Sequence, residues 1–263
     1  MANTRRRRRR RRRRSGAGRR AAVIVCCAAV LAGAGFLLIR DRQEGEVILS
    51  ESGSISAEAE SLAEGNDKYQ LRLDGIEKMD QGDYAGAILD FEAAILASKG
   101  RVGDFETDVL KYRAEAEYLL GDYKAASDTY GILIERDKER PEYFAMRCIA
   151  RCEAGDWEGT VEDYRRLEEI DPKGETPAAF QALLAAGEAL ENQGNTGEAM
   201  ELYLQAESRG KKSADLYNHM GICRLKEEDY ADAQSYFDKG LWSEDAASVP
   251  ELLFNKAVAC EYQ

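Results

Sequence analysis

Only a few side chains in this sequence have the chemistry of a base, a nucleophile or a metal ligand, and their spacing leaves them without partners. His219 is the single histidine. A histidine base needs a nucleophile and an orienting group arranged around it, and no such pattern is present, so His219 reads as a surface or groove residue. Cys148 and Cys152 are four residues apart and could share a metal. No histidine or second cysteine pair stands nearby to complete a ligand set, and small buried apolar residues are the simpler reading. Cys223 and Cys260 fall at matching places in successive helices, and Cys26 and Cys27 lie in an uncharged run. Pairs such as Glu168-Glu169 and Glu227-Glu228 belong to a solvated acidic face. Gly33-Ala34-Gly35 does not lead from a strand into a helix, so it is no phosphate loop. No catalytic residue, metal or cofactor is expected, and the chain reads as a protein that is not an enzyme.

The elements behind these residues are set by a recurring turn: Gly82-Asp83-Tyr84, Gly121-Asp122-Tyr123, Gly155-Asp156-Trp157, Gly194-Asn195-Thr196 and Glu228-Asp229-Tyr230, at spacings of 39, 34, 39 and 34 residues. Seven residues before each turn position sits a small residue: Gly75, Ala114, Cys148, Gly187, Gly221. Five after it come Ala87, Ala126, Thr160, Ala199 and Ala233, and nine after it Phe91, Tyr130, Tyr164, Tyr203 and Phe237. Offsets that differ by three and four share one helical face. Each unit therefore reads as helix, turn, helix, with a ring filling the gap that a small residue leaves. The turn glycine ends the first helix in the left-handed conformation, and the aspartate after it caps the second. Pro141 and Pro250 suit first helical turns, and Asp171-Pro172 stops a helix.

These offsets and this period resemble the tetratricopeptide repeat family over residues 68–247, with a further half unit at 251–263. The resemblance implies an all-α fold, a right-handed α-solenoid of about five repeats plus a terminal helix, spanning 68–263. Extra residues around 102–106 and 175–179 read as longer loops between repeats. The terminal helix is either a cap or half of a further unit, and its apolar Leu252, Leu253, Phe254 and Val258 suit a dimer or partner contact.

The amino terminus has a different character. Residues 1–20 form an arginine-rich tail that contains Arg5–Arg14 unbroken, and residues 21–39 carry no charge. Nineteen residues of helix rise about 28 Å, close to a bilayer core. Residues 21–39 are expected to form one transmembrane helix ahead of the solenoid, followed by a flexible linker at 40–67 with a helical stretch near Ser56–Glu64. The arginines would stay in the cytoplasm, which makes a single-pass cell-membrane protein with its repeats outside. A cleaved signal peptide is the rival, with Ala32-Gly33-Ala34 as its site, although the apolar run continues through Ile39. The arginine run sets topology against anionic lipid and is not expected to bind nucleic acid.

The net charge of −12 conceals two opposite parts. Residues 1–42 hold fourteen basic residues and one acid, whereas the remainder carries −25. So acidic a body argues against nucleic acid or an anionic polymer as its ligand and fits a basic partner or simple solubility. In the family, side chains of the first helices line the inner wall. By resemblance this wall takes Tyr69, Arg72, Ile76 and Met79 from the first unit, Tyr112, Glu115 and Tyr118 from the second, and Met146 and Ile149 from the third. Glu188 and Glu191 come from the fourth, and Asn218, His219 and Ile222 from the fifth. Where family members that clamp acidic peptides carry asparagine, this chain has Ile76, Glu115, Ile149, Glu188 and Ile222, so that clamp is not implied. The function expected is a scaffold for a protein or peptide partner with basic and apolar side chains. The alternative is an envelope assembly protein, a homo-oligomer joined through repeats and span.

Overall fold

The computed structural model describes residues 35–40, 47–52, 57–98, 103–244 and 249–262. Among them are ten helices in five consecutive pairs: α2 (Lys68–Asp80) with α3 (Tyr84–Ala97), α4 (Asp104–Leu120) with α5 (Tyr123–Arg136), α6 (Pro141–Glu153) with α7 (Trp157–Ile170), α8 (Ala179–Asn192) with α9 (Thr196–Ser208), and α10 (Ala214–Lys226) with α11 (Tyr230–Leu241). A short helix, α1 (Ala57–Gly65), precedes them and α12 (Val249–Tyr262) follows. The two helices of each pair pack on each other, and each pair packs on the next.

The turns are built as their residues dictate. Gly82, Gly121, Gly155 and Gly194 all have φ between 78° and 86°. At each of these turns the glycine N–H and the following N–H donate back to carbonyls of the last helical turn, as in Asp83 N to Lys78 O at 2.9 Å. Glu228 makes the same bonds at φ 61°, a conformation that costs a residue with a Cβ about 1 kcal/mol. The side chains of Asp83, Asp122, Asp156 and Asp229 each accept from the N–H three residues on, at 3.0–3.2 Å. Asn195 makes no such side-chain cap. Pro141 begins α6, and α7 stops at Ile170 ahead of Asp171-Pro172.

The small-and-ring packing holds. Phe91, Tyr203 and Phe237 are completely buried. A Cβ placed on Gly75 would lie 2.5 Å from the Phe91 ring, and on Gly187 or Gly221 it would lie closer still to Tyr203 or Phe237. Polar groups twelve residues apart also meet across the turn: Lys78 with Asp90 at 2.7 Å, Thr129 donating to Glu117 at 2.7 Å, Arg151 with Asp163 at 3.0 Å, and Tyr203 donating to Glu191 at 2.8 Å.

Three expectations are corrected. Gly35–Arg40 forms a strand, β1, paired antiparallel with β2 (Val47–Ser52), Leu38 opposite Leu49. The expected transmembrane helix therefore does not extend through residues 35–39, and β2 falls in the expected linker. Short apolar runs such as Phe36–Ile39 and Val47–Leu49 fit strand or helix equally by periodicity, and the polar segment between them lets them pair. Residues 1–34, which hold the arginine tail and the rest of that expected helix, lie outside the described residues. No described helix is long and apolar enough to cross a membrane. The linker is also not flexible to residue 67: its helical stretch near Ser56–Glu64 forms as α1 and docks on α3, with Ala59 fully buried and Leu62 and Ala63 against the core. Finally, the insertion near 102–106 lengthens a helix instead of a loop. α4 has 17 residues where α2 has 13, and Glu106 turns back to accept from Gly103 N–H at 2.7 Å. The second insertion is a loop, pinned by Asp171, which accepts from the N–H groups of Glu175 and Thr176 at 3.0 and 2.8 Å.

Candidate functional site

Side chains six residues before each turn (Ile76, Glu115, Ile149, Glu188, Ile222) and three before (Met79, Tyr118, Cys152, Glu191, Leu225) recur on α2, α4, α6, α8 and α10. Contacts tie successive first helices together along this wall, and they sort the expected partner-binding residues into two groups.

The first group is committed to the protein's own packing. The Arg72 Nε donates to Asp108 at 2.6 Å, and its guanidinium lies 5.2 Å from the centre of the Tyr112 ring. Tyr112 itself stacks on Phe91 at 6.0 Å. Asn218 accepts from Asn255 of α12 at 2.9 Å. Glu191 is buried and receives three donors. The Tyr203 hydroxyl and the His219 Nδ1 reach Oε1 at 2.8 and 3.0 Å, and Lys226 Nζ reaches Oε2 at 3.2 Å. The Tyr203 and His219 rings stack at 5.5 Å. His219 is thus a half-buried tie between α8, α9 and α10, held by Glu191, which a neighbouring repeat brings to it. Burial alone would lower the imidazole pKa, but the bond to Glu191 and the charges of Glu191, Glu188 and Asp215 outweigh it and raise the value. Burial would raise the Glu191 carboxyl, but His219, Tyr203 and Lys226 together lower it.

The second group faces out. Glu115 and Glu188 are exposed, at the same register of two alternate first helices. Tyr69 and its neighbour Leu73 are also exposed, at 57% and 54%. Ile76, Met79, Met146 and Ile149 are half-buried and lean on the core. Ile222 is half-buried in the same way, and Tyr118 lies 5.2 Å from Tyr123. Glu188 stands beside the Cys152 thiol, whose pKa is pushed up to about 12 by burial, then by Glu188 and Glu153. The wall is therefore an apolar strip from Tyr69 to Ile222 that carries exposed carboxylates at Glu115 and Glu188.

Sequence reasoning missed Tyr203 and Lys226 as partners of Glu191, and also the bidentate pair from Arg147 to Asp163, at 2.9 and 2.6 Å. The twelve-residue spacing across the turn was the available signal for Tyr203; Arg147 and Asp163 are sixteen apart and Lys226 comes from the next repeat, so that spacing does not reach them. Cys148 and Cys152 spend their thiols on backbone carbonyls, Cys148 toward Thr160 and Ala182 and Cys152 toward Ala185. Among the described residues no cluster of three or more histidine, cysteine or acidic side chains could hold a metal. An open cleft of about 1100 Å³ lies off this wall, lined by Tyr217, Lys239 and the exposed Trp242 among others.

Comparison with known proteins agrees with this architecture. The family model described as tetratricopeptide repeat matches residues 74–143 and 148–214. A small glutamine-rich tetratricopeptide repeat-containing protein 2 of Mycosarcoma maydis is 34% identical over 98 residues, which is 37% of this chain and 26% of that protein. The match thus spans about a quarter of the relative's length. Among solved structures, MamA superposes with a TM-score of 0.56 at 16% identity, over 66% of this chain and 90% of its own. YrrB, described as a TPR protein with an unusual peptide-binding site, gives 0.56 at 15% identity over 77% of this chain and 98% of its own. At these identities the likeness is one of fold.

Proposed function

We propose, from the premise that this chain belongs to the tetratricopeptide repeat family, that it is a scaffold whose first-helix wall holds a basic and apolar segment of a partner protein. The observation that carries this reading is the pair Glu115 and Glu188, which stay exposed while the neighbouring Glu191 is consumed by internal bonds. An apolar strip punctuated by exposed carboxylates suits a helical or extended segment with lysine or arginine among apolar side chains. The body charge of −25 would steer such a segment toward it. The peptide-binding site named for YrrB is consistent with this use of the fold.

The test is Glu115→Lys combined with Glu188→Lys, with Glu191 left intact so that the repeats keep their joint. Against an array of peptides of Lys, Arg, Leu and Phe, the best binder should lose at least about tenfold in affinity, about 1.4 kcal/mol. Its wild-type affinity should weaken with added salt. Equal binding by both proteins would remove the wall from consideration.

The scaffold is proposed to be tethered to the cell membrane by residues 21–39, with the tail inside and the repeats outside. The uncharged run between Arg20 and Arg40 supports this. The tether requires Gly35–Ile39 to leave β1, because the fourteen residues before them rise only about 21 Å as a helix. Protease added to intact cells should then cut the repeats, and alkaline carbonate should not release the chain. Repeats that survive protease on intact cells and are cut only after lysis would refute the orientation.

A further inference from the structure

The protein covers the rings of its first helices with its own cations, with one exception. Lys68 lies over Tyr69 and Phe105, and Arg72 over Tyr112. Every tyrosine and phenylalanine of α6, α8 and α10 likewise lies under a lysine or arginine, each cation 4.4–5.9 Å from its ring centre. The exception is Tyr118 on α4. Among the described residues no lysine or arginine covers it, nor the ring of Tyr123 beside it.

Tyr118 and Tyr123 stand 5.2 Å apart with their planes at 60°, two sides of a corner, and both are half-buried. Glu115 precedes Tyr118 by three residues, so it shares that face of α4, and it is exposed. Glu153, the exposed last residue of α6, reaches the same place. Burial raises the Tyr118 phenol most, and Glu153 comes next, ahead of Tyr123 and Cys152. Neither carboxylate has a basic partner among the described residues. The acids beside the covered rings do: Glu106 pairs with Lys68, Asp108 with Arg72, and Asp163 with Arg147. We propose that this corner is a cation subsite of the wall, where an arginine of the partner segment lays its guanidinium on the Tyr118 and Tyr123 rings and donates sideways to Glu115 and Glu153. A cation over a tyrosine face is held by the ring quadrupole. Arginine suits the corner better than lysine, because its planar group stacks on a ring while its N–H donors point outward in the plane toward carboxylates. This deepens the reading of the wall and rests on it for the partner. Three elements, α4, α5 and α6, build the corner, which places it at the joint between the second and third repeats.

The full chain in non-ionic detergent, with isotope-labelled tyrosine, is titrated with N-acetyl-arginine amide and followed by NMR. The ring signals of Tyr118 and Tyr123, identified by their loss in Tyr118→Leu and Tyr123→Leu, should shift and saturate with a dissociation constant of about 1–10 mM. Glu153→Gln, at an exposed position, should weaken this binding about two- to threefold. N-acetyl-citrulline amide has the same shape without the charge and should leave both signals in place, and N-acetyl-lysine amide should bind less tightly than the arginine amide. The tightest peptide of the array described above should lose about fivefold in affinity for Tyr118→Leu. Signals that ignore the arginine amide, or that respond equally to the citrulline or the lysine amide, would overturn the proposal. So would a peptide that binds wild type and Tyr118→Leu alike, with the wall itself left standing. Failure of every array peptide, with the arginine amide still bound at these rings, would instead remove the segment reading and keep the subsite.

Discussion

Replacing Tyr203 with alanine is expected to cost about 3–5 kcal/mol of stability, the range for emptying a buried aromatic site. Tyr203 is completely buried, its ring fills the notch at Gly187, and its hydroxyl donates to Glu191 at 2.8 Å. The decisive measurement is a cycle with Gly187→Ala. In the wild-type background the new methyl must displace the ring, an overpacking cost of about 1–3 kcal/mol set against a helix gain of about 1 kcal/mol. In the Tyr203→Ala background the notch is vacant, so the same methyl should be neutral or stabilising by up to about 1 kcal/mol. Urea unfolding followed by circular dichroism, with hydrogen exchange on α8 and α9, reads both steps. Strict additivity would mean that ring and notch are not a unit.

Glu191→Ala should cost a similar amount, about 3–5 kcal/mol, because it removes a buried carboxylate that three donors share. His219 and the Tyr203 hydroxyl lose their acceptor, and Lys226 loses its carboxylate while keeping the Glu191 backbone carbonyl at 3.2 Å. A pH signature separates this from a simple cavity. The His219 pKa is raised, so its contribution is complete below the unfolded imidazole value of 6.5 and fades as pH climbs through the folded value. The Glu191 pKa is lowered, so its contribution is complete above the unfolded carboxyl value of 4.5 and fades as pH falls through the folded one. The joint between the fourth and fifth repeats should therefore be strongest between pH 4.5 and 6.5. Glu191→Gln should remove most of the alkaline loss between about pH 6 and about pH 8 in urea midpoints. A variant that keeps the wild-type pH slope would show that His219 gains nothing from this carboxylate.

Charge reversal on the wall has the opposite character. Glu115 and Glu188 are exposed, so their replacement should change affinity and leave stability within about 0.5 kcal/mol. Reversing Glu191 along with them would confuse the two effects.

The repeat was legible in the residues alone: helix, turn and helix, the left-handed turn position, the aspartate caps, and which residues are ring and which are notch. Each of these rests on interactions within a few residues or on a spacing that five units state independently. Which side chains of the first helices remain free was settled only by packing between repeats. Glu188 and Glu191 are the same residue type, three apart on one helix, yet one is exposed and the other is buried under Tyr203, His219 and Lys226. Their difference comes from α9 and α10, whose approach no local pattern around α8 encodes. The strand at Gly35–Arg40 has the same origin, since a short apolar run takes its conformation from the neighbour it pairs with.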